Sequence, residues 1–446
     1  MNPYAEERIA GRRIVIDRLD RDGAALAELM RDRGADVVIA DHAPAVAVPD
    51  GCALVPERLV AVQRADILLV DCWTPETAAH VVRARERGVA VGCLADVVVR
   101  EWPGAVIGIT GTAGKTTTAR LAAHLLEAAG WDVLIPPTGR AENAWPSADV
   151  LADLRDGRQP DVLVLELTST HLAYMSASPD VAVVTSLGSD HSELHGGEGR
   201  YIAAKQRILV HQEPGDAALL PAVGADALVP RDGVRVVRFD PDGAAVDVGL
   251  APHLRPSAAC AVALARDVLG ADVDVDDLRS FRAPRWRGEC IGRLGDVAVH
   301  HDGMAATPAK AMAFARLLPD RSAVLIVGGL AETDGGPVHA GAGEQRLLRE
   351  ACGEIARAAQ RVLLIGPASA QTAPLLAQAG AARVEIGPDL HWAANAALGD
   401  LEGVGWIAWT PGFPVALDDR ERFGGLMAGA ARAAGLEWAP ADEAAN

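Results

Sequence analysis

The sequence predicts an α/β fold in three sections, and three observations predict it. Strand and helix signals alternate along most of the chain, which yields parallel sheets covered by helices. The 446 residues exceed what one ordinary core fills and suggest about three domains. In the middle lies VIGITGTAGKTTTAR, Val106 to Arg120, which reads as a buried strand, a Gly-rich turn and the start of a helix.

Half of the residues are hydrophobic and 23% are charged, as in a globular protein. The formal net charge of −18, with no compensating basic patch, excludes nucleic acid and anionic membranes as expected partners. The six cysteines, at 52, 72, 93, 260, 290 and 352, form no C-x-x-C pair and suit small core residues in a reducing compartment. The opening MNPYAEERIAGRR is polar rather than leader-like, and no apolar run reaches membrane-spanning length. A cytoplasmic monomer is expected.

In residues 1–101, RRIVIDRL, DVVIADHA, ADILLVDCW and VAVGCLADVV read as strands, with helices at DGAALAELMRDRGA and TAAHVVRARERGV. The turn after the first strand, Asp17 to Gly23, holds one glycine and three acids where a diphosphate-binding turn carries G-x-G-x-x-G. A scaffold loop is at least as good a reading of it.

Residues 102–285 hold the Gly-rich turn. The strict G-x-x-x-x-G-K-[ST] pattern fails at Ile109, but Thr110 to Thr116 reads T-G-T-x-G-K-T. Gly111 and Gly114 let backbone N–H groups, with those of Thr112, Ala113 and Thr117, approach an anion. Lys115 can reach outer phosphates, and Thr116 offers a hydroxyl to Mg²⁺. PDVLVLELTSTHL then predicts a buried strand ending at Glu166, a carboxylate at the edge where ligands bind and hence a Mg²⁺ ligand or water-positioner. VAVVTSLGSDH reads as a strand ending at Asp190 and His191, an acid and an imidazole fit for a divalent cation. YIAAKQRIL reads as a helix with Lys205 on its apolar face, where a lysine is costly unless paired, altered or snorkelling. Residues 256–269 and 275–281 read as helices.

Residues 286–446 alternate again: VAVHHD, PAKAMAFARLL, AVLIVGG, QRLLREACGEIARAA, RVLLIGP, ARVEIG and GVGWIAWTP.

These motifs resemble those of the Mur ligases, the ATP-dependent amide ligases of peptidoglycan precursor synthesis, and most closely the glutamate-adding type. TGTAGKTT is similar to the family's P-loop, ENAW with Asn143 to its nucleotide-side asparagine, LELTS to E-[LS]-S-S, and DHSELH to D-H-L-D-x-H. YIAAK is similar to the segment whose lysine becomes a carbamate, and HHDGMAATP to D-S-x-A-T-x-P. The resemblance implies an N-terminal Rossmann-like acceptor domain, a central P-loop ATPase domain and a C-terminal Rossmann-like domain for the incoming amine. It implies ATP and Mg²⁺ as cofactors and a CO₂-derived carbamate on Lys205. The metal ligands would be Thr116, Glu166, His191 and Lys205, and the catalytic set Lys115, Glu166, His191 and Lys205. Asn143, Ser257, Arg287 and Asp302 would join the loop around the nucleotide.

The chain departs from the pattern at both substrate ends. H-N-x-x-N appears as His253 to Ser257, Met304 replaces the lysine that meets glutamate, and S-P-A-x-A-S-[FL]-D becomes Thr410 to Asp418 without its serine. The implied activity joins an amino acid or amine to a small-molecule carboxylate through an acyl phosphate, on a muramoyl-type precursor or on a non-UDP acceptor of a specialised pathway. A nucleotide-binding regulatory protein without ligation is the alternative from another class.

Overall fold

The computed structural model describes residues 2–136, 143–188, 192–241, 243, 252–330, 332–333, 336–337 and 342–441. The chain forms two compact units, Met1–Leu250 with Leu254–Phe281, and Ala251–His253 with Arg282–Asn446. The fold is α/β; the described residues form sheets of five, six and seven strands and a small two-stranded one.

The first unit carries two all-parallel sheets. β1 (Arg13–Ile16), β2 (Asp36–Ile39), β3 (Ala53–Leu54), β4 (Ile67–Val70) and β5 (Ala90–Cys93) lie in the order β3-β2-β1-β4-β5. β6 (Ala105–Thr110), β7 (Val133–Leu134), β8 (Val162–Glu166), β9 (Val181–Val184), β10 (Ala217–Pro221) and β11 (Arg235–Phe239) lie in the order β11-β10-β9-β6-β8-β7. Runs such as ILLV in β4 and VLVLE in β8 are buried throughout, because helices cover both faces. In each sheet the chain order reverses beside one strand, β1 or β6. That leaves a crevice at the carboxyl ends, where α/β sheets bind ligands.

The second unit carries β12 (Glu289–Leu294), β13 (Val297–His301), β14 (Ala323–Val327), the small pair β15 (Glu332–Thr333) and β16 (Gly336–Pro337), then β17 (Ala359–Ile365), β18 (Val384–Gly387), β19 (Trp406–Trp409) and β20 (Ala439–Pro440). Its large sheet runs β18-β17-β14-β19-β13-β12-β20, antiparallel only where β12 meets β13 and β20. Sequence periodicity finds the parallel strands here but not β12, whose ECIGRL is only half-buried and lacks an apolar run.

Three strand or helix expectations change. VAVGCLADVV is no single strand, since β5 stops at Cys93 and Leu94–Glu101 is a helix. β9 stops at Val184, because Thr185 and Ser186 turn to hold the Gly-rich loop; Asp190 and His191 lie outside the described residues. The 256–269 helix is α-helical over Arg255–Ala263 and π-helical over Leu264–Val268, while Val275–Ser280 is a 3₁₀ helix.

Asp96 fixes the helix after β5 against the second sheet. Fully buried, it accepts from the Tyr4 hydroxyl at 2.7 Å, from the Ser176 and Ala177 backbone N–H groups at 2.7 and 2.9 Å, and from the Ser176 hydroxyl at 2.8 Å. Removing the acceptor leaves four donors without it, one buried and three half-buried. Asp96→Ala is therefore expected to destabilise the first unit by about 3 kcal/mol or more. The urea midpoint measures this, and a loss below about 1 kcal/mol would mean that water replaces the carboxylate.

Candidate active site

β6 delivers the chain into its turn between β8 and β9, so three strand ends converge on one crevice. Gly114, at φ +84°, precedes the helix Lys115–Ala128, whose first backbone N–H groups have no partner within the helix. Gly111, at φ +154°, has no room for a side chain: a Cβ would sit 1.9 Å from Thr185 Oγ1. The loop is braced from β9's exit. Thr112 N donates to Ser186 O at 3.0 Å, Ala113 N to Ser186 Oγ at 3.0 Å, and Thr185 Oγ1 to Ala113 O at 2.5 Å.

Beneath the loop, Thr116 Oγ1 donates to Glu166 Oε2 at 2.6 Å, with Asn143 Oδ1 at 3.2 Å as a second acceptor. Glu166 is 3% exposed, and all three side chains are buried. Lys115 Nζ and Lys205 Nζ each donate to the carbonyl of Gly111 at 2.9 Å. Lys205, 1% exposed, sits over the Tyr201 ring, 4.9 Å from its centroid, and the Tyr201 hydroxyl meets Thr112 Oγ1 at 3.0 Å. Snorkelling is thereby excluded for Lys205. Tyr201 is a partner that motif reading missed, although it lies four residues before Lys205 on one helix face.

Ser257 also comes to the loop, its Oγ 3.0 Å from where a Cβ on Gly114 would be. His191 lies outside the described residues. Arg287 and Asp302 belong to the second unit. There the Arg287 carbonyl meets His253 Nε2 at 3.0 Å, and buried Asp302 accepts from Thr410 Oγ1 at 2.9 Å.

For a divalent cation, the Thr116–Glu166–Asn143 cluster offers a hydroxyl, a carboxylate and an amide oxygen. Such hard oxygen donors fit Mg²⁺, which keeps several positions for water and phosphate. Among the described residues no three His, Cys, Asp or Glu side chains converge as a metal cage.

The first sheet's crevice differs in character. A cavity of about 180 Å³ opens at the ends of β1, β4 and β5, lined in part by Arg18, Asp20, Asp22, Asp71, Trp73 and Trp145. The helix Arg21–Asp32 starts there, yet its N-terminal donors are taken: Asp20 Oδ1 accepts from Asp22 N at 3.1 Å and from Gly23 N at 3.0 Å. Asp22 in turn caps Ala148 N at 2.7 Å, and Asp71 caps Trp73 N at 2.7 Å. Burial raises the carboxyl groups of both Asp22 and Asp71 above the usual range.

A Gly-rich loop at a sheet's switch point, over a hydroxyl–carboxylate pair, makes this a P-loop protein of the nucleotide-using kind. A family model described as the Mur ligase middle domain matches residues 109–260. A UDP-N-acetylmuramoylalanine–D-glutamate ligase from Acidobacterium capsulatum is 27% identical over 341 residues, 67% of this chain and 72% of the relative. One of the same name from Deinococcus radiodurans is 30% identical over 328 residues, 68% of this chain and 67% of the relative. The solved MurF ligase of Thermotoga maritima in complex with ADP shares the fold, with a TM-score of 0.60 at 16% identity over 97% of each chain. The chain belongs to the Mur ligase family and is an ATP-dependent amide ligase of that family. No helix among the described residues is long and apolar enough to cross a membrane.

Asp302 supplies a test by titration. Burial pushes its carboxyl up to about 7, against the opposing pull of the Thr410 hydroxyl and the Gly288 N–H. The protonated form is thus favoured in the fold, so the contribution is complete below the ordinary 3.8 and is lost as pH rises to about 7. Asp302→Asn keeps an acceptor for Thr410 without the charge. Melting temperatures across pH 4.5–8 are expected to favour the variant increasingly toward neutrality; a gap that stays flat with pH would contradict the raised carboxyl.

Proposed function

We propose that the chain activates a carboxylate acceptor as an acyl phosphate and passes the acyl group to an amine, in the manner of the glutamate-adding relatives. Residues 1–101 would hold the acceptor, 102–285 the ATP and 286–446 the amine. The acceptor carboxylate attacks the γ-phosphoryl of ATP, a C–O–P link forms, the β–γ bridge breaks and ADP leaves. The amine then attacks the acyl carbon, phosphate departs and the nitrogen loses a proton.

Positioning and electrostatics do most of the work in such transfers. Lys115 and the backbone N–H groups at Gly111–Thr117 would hold the phosphates, with Ser257 at the loop's flank and Arg287 and Asp302 on the nucleotide's other parts. Thr116, Glu166 and Asn143 would hold Mg²⁺, which supplies charge neutralisation at the transferring phosphoryl group. The observation that carries the reading is the buried Thr116–Glu166 pair beneath the loop, since nucleotide binding alone needs no buried carboxylate there. That also weighs against a purely regulatory protein.

Lys205 is proposed to react with CO₂, its amine forming an N–COO⁻ group and releasing a proton. Two ammonium groups sharing the Gly111 carbonyl lie within twice 2.9 Å of each other. At such separations like charges cost about 3 kcal/mol in an effective dielectric of 20. A carbamate turns that repulsion into attraction.

The acceptor is the point where a second reading is favoured. A diphosphate at the first βα turn needs unoccupied N–H groups and positive charge. Here Asp20 occupies those donors, and three carboxylates face one guanidinium. This supports an acceptor without UDP over the relatives' nucleotide-linked precursor. A cytoplasmic, monomeric enzyme independent of nucleic acid completes the proposal.

Phosphate release measured over panels of carboxylates and amines is expected to require both partners; turnover of ATP indifferent to the amine would sink the ligase reading. Lys205→Ala is expected to lose about a hundredfold or more and to regain part with added acetate or propionate, whereas full activity in the variant would refute the carbamate. In the same assay, UDP-N-acetylmuramoyl-L-alanine is expected to lag a diphosphate-free acceptor by at least about tenfold in kcat/KM. The reverse order would restore the nucleotide-linked substrate.

A further inference from the structure

His195 ends the short helix Ser192–His195, and two glycines at positive φ follow it, Gly196 at +76° and Gly197 at +134°. The helix Glu198–Val210 then begins, with Tyr201 and Lys205 one turn apart on one face. Glycines in that conformation let the chain turn without fixing its direction, so the entry of the Lys205 helix is set by what holds His195.

The imidazole is held from both of its nitrogens. Nδ1 lies 3.1 Å from Oε1 of Glu76, on the loop after β4 of the first sheet, and Nε2 lies 3.0 Å from Oγ of Ser169, three residues past Glu166. Both His195 and Ser169 are buried. Burial alone would raise the Glu76 carboxyl, yet the His195 bond and the Arg85 guanidinium hold it below the ordinary carboxylate range. An ionised Glu76 can only accept, so Nδ1 carries a proton and donates it.

The contacts continue on either side. The His195 ring meets that of Tyr201 edge-on, with centroids 5.8 Å apart, and Tyr201 in turn touches Thr112 of the Gly-rich loop and lies beneath Lys205 Nζ. On the other side, the loop that bears Glu76 is docked again through Thr74, whose carbonyl accepts from the Tyr174 hydroxyl at 2.6 Å. The same loop lines the first sheet's cavity at Asp71, Cys72 and Trp73.

We propose that His195 is a positioning residue of the ligase reaction, a clamp that ties the loop after β4 to the helix of Lys205 and so holds Lys205 over the phosphate loop. A buried, fully bonded ring between two sections transmits a shift because its hydrogen bonds are either made or broken. The kinetic consequence rests on the role proposed for Lys205; the mechanical link between loop and helix rests on the contacts alone. On that reading Lys115 and backbone N–H groups hold ATP, so loosening Lys205 slows turnover more than it weakens nucleotide binding.

Amide hydrogen exchange of the full chain, read by mass spectrometry, tests the link. Glu76→Ala lies in the first sheet's loop, yet it is expected to speed exchange about fivefold or more in the helix Glu198–Val210, and His195→Ala to do so both there and in residues 71–77. Unchanged exchange of that helix in Glu76→Ala overturns the clamp. For the reaction, calorimetric titration with Mg·ADP counts intact sites, and phosphate release with the fastest carboxylate and amine of the panel is expressed per site. His195→Ala is expected to lower kcat about tenfold or more while KM for ATP changes by less than about twofold. Glu76→Gln, which keeps an acceptor for Nδ1, is expected to regain part of what Glu76→Ala loses. A fall in rate matched by the loss of intact sites, or a KM for ATP that rises as far as kcat falls, overturns the positioning role. Full activity in Lys205→Ala would sink the reading of Lys205 while the exchange result still judges the clamp, so the two fail separately.

Discussion

Two lysine ammonium groups directed at one backbone carbonyl, that of Gly111, are the constraint around which the first unit is arranged. Both donate to the same oxygen because the chain turns there at φ +154°, pressed against Thr185 with no space for a Cβ. That pressure comes from Thr185 and Ser186, just after β9, whose hydroxyls bind Ala113 from two sides. The hydroxyl of Thr112 then ties in Tyr201 and the backbone of Gly188, which seats the helix bearing Lys205. The outcome is a focus of positive charge at a parallel sheet's switch point, where phosphates are the natural complement.

Glu166, which accepts from Thr116 on the helix that follows the loop, sets the other sign. It ends β8 opposite Ile109 of β6, and its backbone N–H donates to Ala144 O at 2.6 Å. A carboxylate so placed accepts the Thr116 hydroxyl rather than a lysine. Separating the carboxylate–hydroxyl pair from the ammonium pair keeps an oxygen-lined position beside a phosphate position. Had Lys115 closed on Glu166, the salt bridge would have occupied both.

The parts legible in the sequence are those whose signal is local. The strand-turn-helix at Val106–Arg120 is contiguous, and the apolar run of β8 stops at Glu166 as its composition requires. The burial of Lys205 is half-legible: its helix face is apolar, but only packing decides between the interior and the surface. Two features were not legible. β5 and the helix after it share one Val- and Ala-rich run, and the break at Cys93 follows from the buried contacts of Asp96, made with residues 80 positions away. β9 ends early because the hydroxyls of the next two residues, Thr185 and Ser186, serve a loop more than seventy residues earlier.

On the proposed reading, charge also explains why the substrate ends differ from the centre. The centre answers to ATP, whose phosphates do not vary, so its glycines, lysines and hydroxyls are tied to backbone geometry. The ends answer to the substrates, and they are built from side chains on loops and helix starts, where exchange costs the fold little. In the first sheet's crevice, where the acceptor is proposed to sit, two helix donors that could take a diphosphate are satisfied by Asp20 from within the chain. A helix start that supplies its own anion has less need of one from a ligand, which is the physical ground for the proposed acceptor without a diphosphate.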